Sequence, residues 1–290
     1  MAQEGGQTAT IGIIGGSGLY SLLDLADEVD VDTPYGPPSD RMTIGDLGGR
    51  RVAFLPRHGR GHTFPPHRIN YRANIWALHS AGVERVIAPC AVGSLRAELS
   101  PGTVVVCDQF VDRTAARRDT YFDGPDVAHL AAAEPYCAEL RPLASQAVRD
   151  AGLTVADSGT VVVINGPRFS TRAESRTYAA HGFDVINMTQ YPEIVLAREL
   201  GLCYVALALV TDYDAGLEGD PTVRPVTVDD VLAVFARTMD TLRVALRHLV
   251  AAVPATRSCN CGEAPRRLNR RESPRPDGGG AASAAGLPLH

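Results

Sequence analysis

From about residue 10 to residue 250 the chain repeats one pattern: a short apolar run rich in β-branched residues, then a stretch with helical spacing. The runs are residues 10–15 (TIGIIG), 51–56 (RVAFLP), 84–90 (ERVIAPC), 103–111 (TVVVCDQFV), 159–164 (GTVVVI), 183–188 (FDVINM) and 203–210 (CYVALALV). A strand with one wet face alternates apolar and polar side chains, whereas a strand covered on both faces is apolar throughout. Runs of the second kind, separated by helices, predict an α/β fold. The expected architecture is a single domain with a central mixed, mostly parallel β-sheet flanked by helices. The clearest helix spans residues 227–250, where Val228, Val231, Phe235, Leu242 and Leu249 recur at helical spacing. Thr227 with Asp230 caps its start, Thr171 with Glu174 forms a second capping box, and Pro192 opens a short helix that Gly201 closes.

Residues 1–9 are expected to be a flexible N-terminus, residues 10–254 the domain, and residues 255–290 a disordered tail. The stretch 263–290 is rich in Pro, Gly, Ala and Arg, without periodicity. Its five arginines against three acids are too diluted by glycine to make a nucleic-acid arm. The net charge of −5 gives no general attraction to nucleic acid or to an anionic membrane. No apolar run is long enough to span a bilayer. Residues 1–10 have neither a basic nor an apolar segment of the kind a secretory signal needs, so a cytoplasmic protein is expected. All 28 basic residues are arginine. That excludes a Schiff-base lysine, a P-loop lysine and a lysine general base. An anionic substrate must be held by Arg, His, hydroxyls or backbone amides.

Chemistry-bearing residues cluster where the apolar runs end. Residues 15–18 (GGSG) offer amide N–H groups and the Ser17 hydroxyl, a combination that suits phosphate, although neither a dinucleotide fingerprint nor a P-loop is present. Residues 55–62 (LPRHGRGH) crowd Arg57, His58, Arg60 and His62 around a glycine-containing turn. A small-residue turn is expected at Cys90–Ala91. Phe169, within residues 166–175 (GPRFSTRAES), places an aromatic ring beside hydroxyls at a helix start, as stacking on a flat heterocycle requires. The run at 203–210 ends in 211–216 (TDYDAG), where Asp212 and Asp214 would point to one side if the segment stayed extended. Two acids held that close raise at least one pKa. Ligands of open α/β sheets bind near strand carboxyl ends, so these junctions are expected to converge.

The segments IGIIGGSG, VDTPYGPPSD, PRHGRGH, NYRANIWAL, AVGSL, DQFVDRT, AEPYC, GPRFSTRAES, DVINMT, PE and TDYD, in this order over residues 10–250, resemble the 5′-methylthioadenosine phosphorylases of the trimeric purine nucleoside phosphorylase family. The resemblance implies phosphorolysis of S-methyl-5′-thioadenosine to adenine and 5-methylthioribose 1-phosphate, in methionine and purine salvage. It implies no organic cofactor and no metal, with inorganic phosphate as co-substrate. By that resemblance Ser17, Arg57, His58, Cys90, Ala91 and Thr189 would hold phosphate. Phe169 would stack near the base and Met188 would lie under the ribose. Asp212 would protonate purine N7, and Asp214 would read the exocyclic 6-group. A homotrimer is implied, with His129 reaching a neighbour's site and Val231 forming part of an apolar wall for the 5′ group. Two segments depart from relatives: Ala88–Pro89–Cys90 stands where a Thr or Ser-Asn is common, and Gln190–Tyr191 occupies a variable place.

An alternative within the same chemistry is a phosphorylase of 6-oxopurine nucleosides such as inosine, guanosine or methylthioinosine. A further alternative is a non-catalytic nucleoside-binding protein on the same scaffold. Cys90, Cys107, Cys137 and Cys203 lie in apolar segments and are expected to be buried thiols. Cys259 and Cys261 supply two soft ligands where structural zinc uses four, and no partner pair lies near them in sequence. Some heat-stable relatives carry a similar Cys-x-Cys that can close a strained disulfide.

Overall fold

The structure is a computed structural model that describes residues 9–16, 18–19, 22–216, 223 and 226–263, together with the backbone of residues 266–267. In chain order the strands and helices are β1 (Ile11–Gly15), β2 (Asp24–Val29), β3 (Met42–Leu47), β4 (Arg50–Pro56), α1 (Tyr71–Ser80), β5 (Arg85–Ser94), β6 (Val104–Val106), β7 (Gln109–Arg113) and β8 (Ala128–His129). They continue with α2 (Leu140–Asp150), β9 (Val155–Ala156), β10 (Thr160–Ile164), α3 (Arg172–Ala180), β11 (Val185–Asn187), α4 (Gln190–Glu199), β12 (Cys203–Asp212), α5 (Val228–Ala252) and β13 (Arg266–Arg267).

Among the described residues, eleven strands form one mixed sheet, and β5 is where it forks. One branch runs β2-β3-β4-β1-β5-β11-β10-β7, while β12, β6 and β9 follow from the other edge of β5. The central pairs β1·β4, β1·β5 and β12·β5 are parallel, as continuous apolar runs predict. All ten residues of β12 are buried. Cys203, Val205, Leu207 and Leu209 face α2 and α5, whereas Tyr204, Ala206, Ala208 and Val210 face the opposite layer of α1 and α4.

Both capping boxes form as the sequence predicts. Thr171 and Glu174 cap α3, and Thr227 and Asp230 cap α5. In α4, Tyr191 is non-helical, so the regular turns begin at Pro192, and Gly201 ends the helix with φ of 71°.

Four expectations are corrected. The run 103–111 is two strands, since the chain leaves β6 at Cys107–Asp108 and joins the other branch as β7. The polar antiparallel strands β2 and β3 were not expected; five of the six residues of β2 are exposed and carry no buried-strand signal. Cys90–Ala91 is not a turn but lies within β5, paired to Ala208 and Leu209 of β12. Residues 255–263 are not a loose tail. Arg257 Nη1 donates to Gly201 O at 2.8 Å, and the amides of Ser258 and Cys259 donate to Glu139 Oε2. Cys261 is buried there, and the backbone of β13 pairs with β8. Most of the remaining tail, like the N-terminal residues 1–8, lies outside the described residues.

Candidate active site

The fork in the sheet opens a slit. β1 pairs with β5 only through Ile87, and β11 joins the same edge at Gly93. Between them, that edge of β5 has no strand beside it among the described residues. Residues alternate edges along a strand, so Pro89 and Ala91 present their backbone groups to the slit while Cys90 bonds β12. Pro89 is tolerated in mid-strand because the N–H it lacks would have faced this gap. Its carbonyl accepts from Arg57 Nη1 at 3.0 Å, and the Ala91 carbonyl accepts from Asn187 Nδ2 at 2.8 Å. The Ala91 N–H is left directed into the slit.

A cavity of about 740 Å³ lies over this slit. Arg57, His58, Cys90, Ala91, Phe169, Met188, Thr189, Asp212, Asp214 and Val231 all line it. These residues come from the ends of β4, β11 and β12, the middle of β5, the loop before α3, and the first turn of α5. Residues far apart in sequence thus meet at strand ends, as the topology of such sheets dictates.

Arg57 is nearly fully buried and does not present a free fork. Nε and Nη2 clasp the Glu193 carboxylate at 2.7 and 2.9 Å, and Nη2 also donates to Ile14 O. With the Pro89 contact, four of its five N–H groups are used within the protein, which leaves one for a ligand. Glu193 is fully buried and also accepts from the Tyr204 hydroxyl at 2.7 Å. Arg60 belongs elsewhere: it is half exposed and paired to Glu28 at 2.7 Å.

His58 is held neutral. Burial pushes its pKa down to about 3, with the bond to the Phe64 carbonyl opposing the shift. A carbonyl only accepts, so Nδ1 carries the proton in that 2.9 Å bond, and Nε2 is an acceptor. Its ring stacks on His62 at 4.1 Å. The Cys90 thiol is also neutral, pushed up to about 11 chiefly by burial. Thr189 donates its hydroxyl to Asn187 Oδ1 over a long 3.3 Å, which a ligand oxygen can replace.

The acid pair is built by a tight turn rather than an extended segment. Asp214 adopts φ of 47°, a conformation uncommon outside glycine, and its N–H donates to Asp212 Oδ1 at 2.7 Å. Thr211 Oγ1 donates to Asp212 Oδ2 at 2.7 Å. Burial raises the Asp212 pKa to about 6; these two bonds oppose it, and the Asp214 charge adds a smaller push. Desolvation, not the pairing of acids, is therefore the main cause. Burial likewise raises Asp214, and its Oδ2 is buried with no hydrogen-bond partner among the described residues. Gly93 makes room for the pair, since a Cβ there would stand 2.9 Å from Asp212 Oδ1 and 3.2 Å from Asp214 Cβ.

The cavity thus sets polar donors at one end against two desolvated acids at the other. The chain matches the family model described as "Phosphorylase superfamily" over residues 10–251. It belongs to the phosphorylase superfamily. This phosphorylase is 56% identical over 266 residues to a purine nucleoside phosphorylase of Streptomyces coelicolor, covering 88% of this chain and 94% of that protein. It is 55% identical over 251 residues to an S-methyl-5′-thioadenosine phosphorylase of Mycolicibacterium smegmatis, covering 86% and 93%. A solved methylthioadenosine phosphorylase from Schistosoma mansoni in complex with adenine superposes with a TM-score of 0.79 at 39% identity, over 84% of this chain and 91% of that one.

Ser17 lies outside the described residues. His129 is exposed on β8, away from the cavity lining of its own chain. The sequence assigns no site role to Glu193, Asn187, Phe235 or Met239, although all four belong to the site or its support. Glu193 stands 136 residues from Arg57, and Asn187 stands 96 from Ala91, so no local spacing announces either contact. Among the described residues, no helix is long and apolar enough to cross a membrane.

Proposed function

We propose that this phosphorylase cleaves S-methyl-5′-thioadenosine with inorganic phosphate, giving adenine and 5-methylthioribose 1-phosphate. The observation that carries the reading is the desolvated Asp212–Asp214 pair facing a slit lined with polar donors across one apolar cavity. In the proposed reaction a phosphate oxygen bonds to C1′ as the C1′–N9 bond breaks, and the bonding pair moves into the purine. Asp212 gives its proton to N7, so adenine leaves neutral. The Thr211 hydroxyl and the Asp214 N–H already point at the two Asp212 oxygens and hold the carboxylate that forms. Water then restores its proton.

At the other end, the Ala91 N–H, the remaining Arg57 N–H and the Thr189 hydroxyl bind phosphate. With its Nε2 unprotonated, His58 accepts the O–H of monobasic phosphate and leaves the attacking oxygen more basic. Phe169, about two-fifths exposed, stacks on the base. Met188 supports the ribose, and Val231 walls the 5′ group. The unpaired Asp214 Oδ2 accepts from a 6-amino group. No organic cofactor or metal enters this reaction. The enzyme is proposed to work in the cytoplasm as a homotrimer, in methionine and purine salvage, with His129 reaching a neighbouring subunit's site.

A second reading, phosphorolysis of 6-oxopurine nucleosides, has one observation behind it. Burial raises Asp214, and the protonated acid could donate to a 6-oxo group. The two readings separate in an assay of phosphate-dependent base release from methylthioadenosine and methylthioinosine. The expected result is a higher kcat/KM for methylthioadenosine, with Asp214→Asn shifting the ratio toward the 6-oxo substrate. A native preference for methylthioinosine would overturn the first reading. No base release from either would leave only a binding protein.

A further inference from the structure

Outside the cavity, three separated segments bring four cysteines together. Cys137 precedes α2, Cys203 opens β12, and in the C-terminal segment Cys259 precedes the turn Asn260–Gly262 while Cys261 lies within it. Their sulfurs all lie within 4.8 Å of one another, and Cys203 Sγ is 3.4 Å from Cys259 Sγ. Three of the four residues are buried. The pair missing beside the Cys-x-Cys in sequence is thus supplied by the fold.

We propose that these four cysteines form a structural zinc site that pins the C-terminal segment to the domain. Zinc–thiolate bonds of about 2.3 Å at tetrahedral angles place sulfurs about 3.8 Å apart. The observed spacings bracket that value, so small side-chain shifts would close the site. Soft thiolates in a four-fold set select zinc over hard cations.

Arg198 favours a metal over two disulfides. Its charge acts on the Cys261 sulfur, while its Nε and Nη1 are buried with no hydrogen-bond partner among the described residues. A zinc ion with four thiolates carries two net negative charges, which an adjacent guanidinium offsets. Two disulfides are neutral and would leave those nitrogens without an anion. The sulfurs also do not sort into pairs, since the 3.4 Å contact joins β12 to the tail rather than closing the Cys-x-Cys ring. Binding replaces the thiol protons: one zinc ion enters and four protons leave, with no change in oxidation state.

The full chain, produced with zinc and purified under reductant, is analysed for metal by inductively coupled plasma mass spectrometry. About one zinc per chain is expected, retained through gel filtration and released by an organomercurial. Cobalt substitution should give the thiolate-to-metal charge-transfer bands of a tetrahedral four-sulfur site. Cys137→Ser and Cys261→Ser should each lower bound zinc at least tenfold and lower the Tm. Their kcat/KM near room temperature should stay close to native, because the cluster lies outside the cavity. A metal-free chain about 4 Da lighter than its fully reduced mass would show two disulfides and overturn the proposal. Reduced, metal-free protein that develops no cobalt–thiolate band would overturn it equally, whatever the variants do.

Discussion

Asp212 shows how burial sets both chemistry and stability at one position. Its pKa of about 6 stands above the roughly 3.9 of an unfolded aspartate. The folded chain therefore holds the proton more tightly, and Asp212 supports stability fully at low pH. That support is lost as pH rises from about 4 through about 6, after which the buried carboxylate costs up to about 3 kcal/mol. Asp212→Asn is expected to melt above wild type at pH 8, with the gap closing by pH 4, as scanning calorimetry would record. The same variant cannot donate a proton to N7, so kcat should fall by about 10²- to 10⁴-fold. Turnover near native would remove Asp212 as the acid. The acid pair was legible because two carboxylic residues directly after a buried run need a reason. What the sequence hid was the cause of the shift: the turn that tucks Asp214 under Asp212 depends on the bare Cα of Gly93 in another strand.

Strands and helices with a covered face were readable, and those without one were not. β1, β5, β10 and β12 announce themselves as unbroken apolar runs, and both capping boxes as Thr-x-x-acid. β2 reads as a polar loop because it is an edge strand whose charged side chains face water. Cys90–Ala91 reads as a turn because the preceding proline signals a break, whereas here Pro89 marks a strand edge with no strand beside it among the described residues. In α5 the amphipathic pattern carries a second meaning. The same stripe that buries Leu242 and Leu249 in the core continues to Val231 and Phe235 in the cavity wall. A methylthio group gains about 1–3 kcal/mol from such a wall over a hydroxyl-bearing competitor. Val231→Asp should raise KM for methylthioadenosine more than for adenosine, and equal effects on both substrates would detach Val231 from the 5′ group.

The same apolar surface reaches the open rim of the cavity. Val228 and Leu232, beside Val231 on α5, are 60% and 58% exposed although they line the cavity. A wall left open to water at its rim is what a neighbouring subunit would complete, and His129 lies exposed on β8. Multi-angle light scattering is expected to give three times the 30.8 kDa chain mass. A stable, fully active monomer would defeat the trimer and the shared site together. Within a single chain, the forked strand imposes its own condition. Arg57 hangs from β4 on one branch, Met188 and Thr189 follow β11 beyond the slit, and Asp212 ends β12 on the other branch. Among the described residues, only β5 is bonded to all three neighbourhoods, through β1, β11 and β12. The phosphorylase is consequently indivisible: no cut through its sequence yields a fragment that keeps the Arg57 end of the cavity without the Asp212 end, or the reverse. New specificities in such a chain must arise by substitution within the existing frame, because neither half of the site can be lent to another protein as a module.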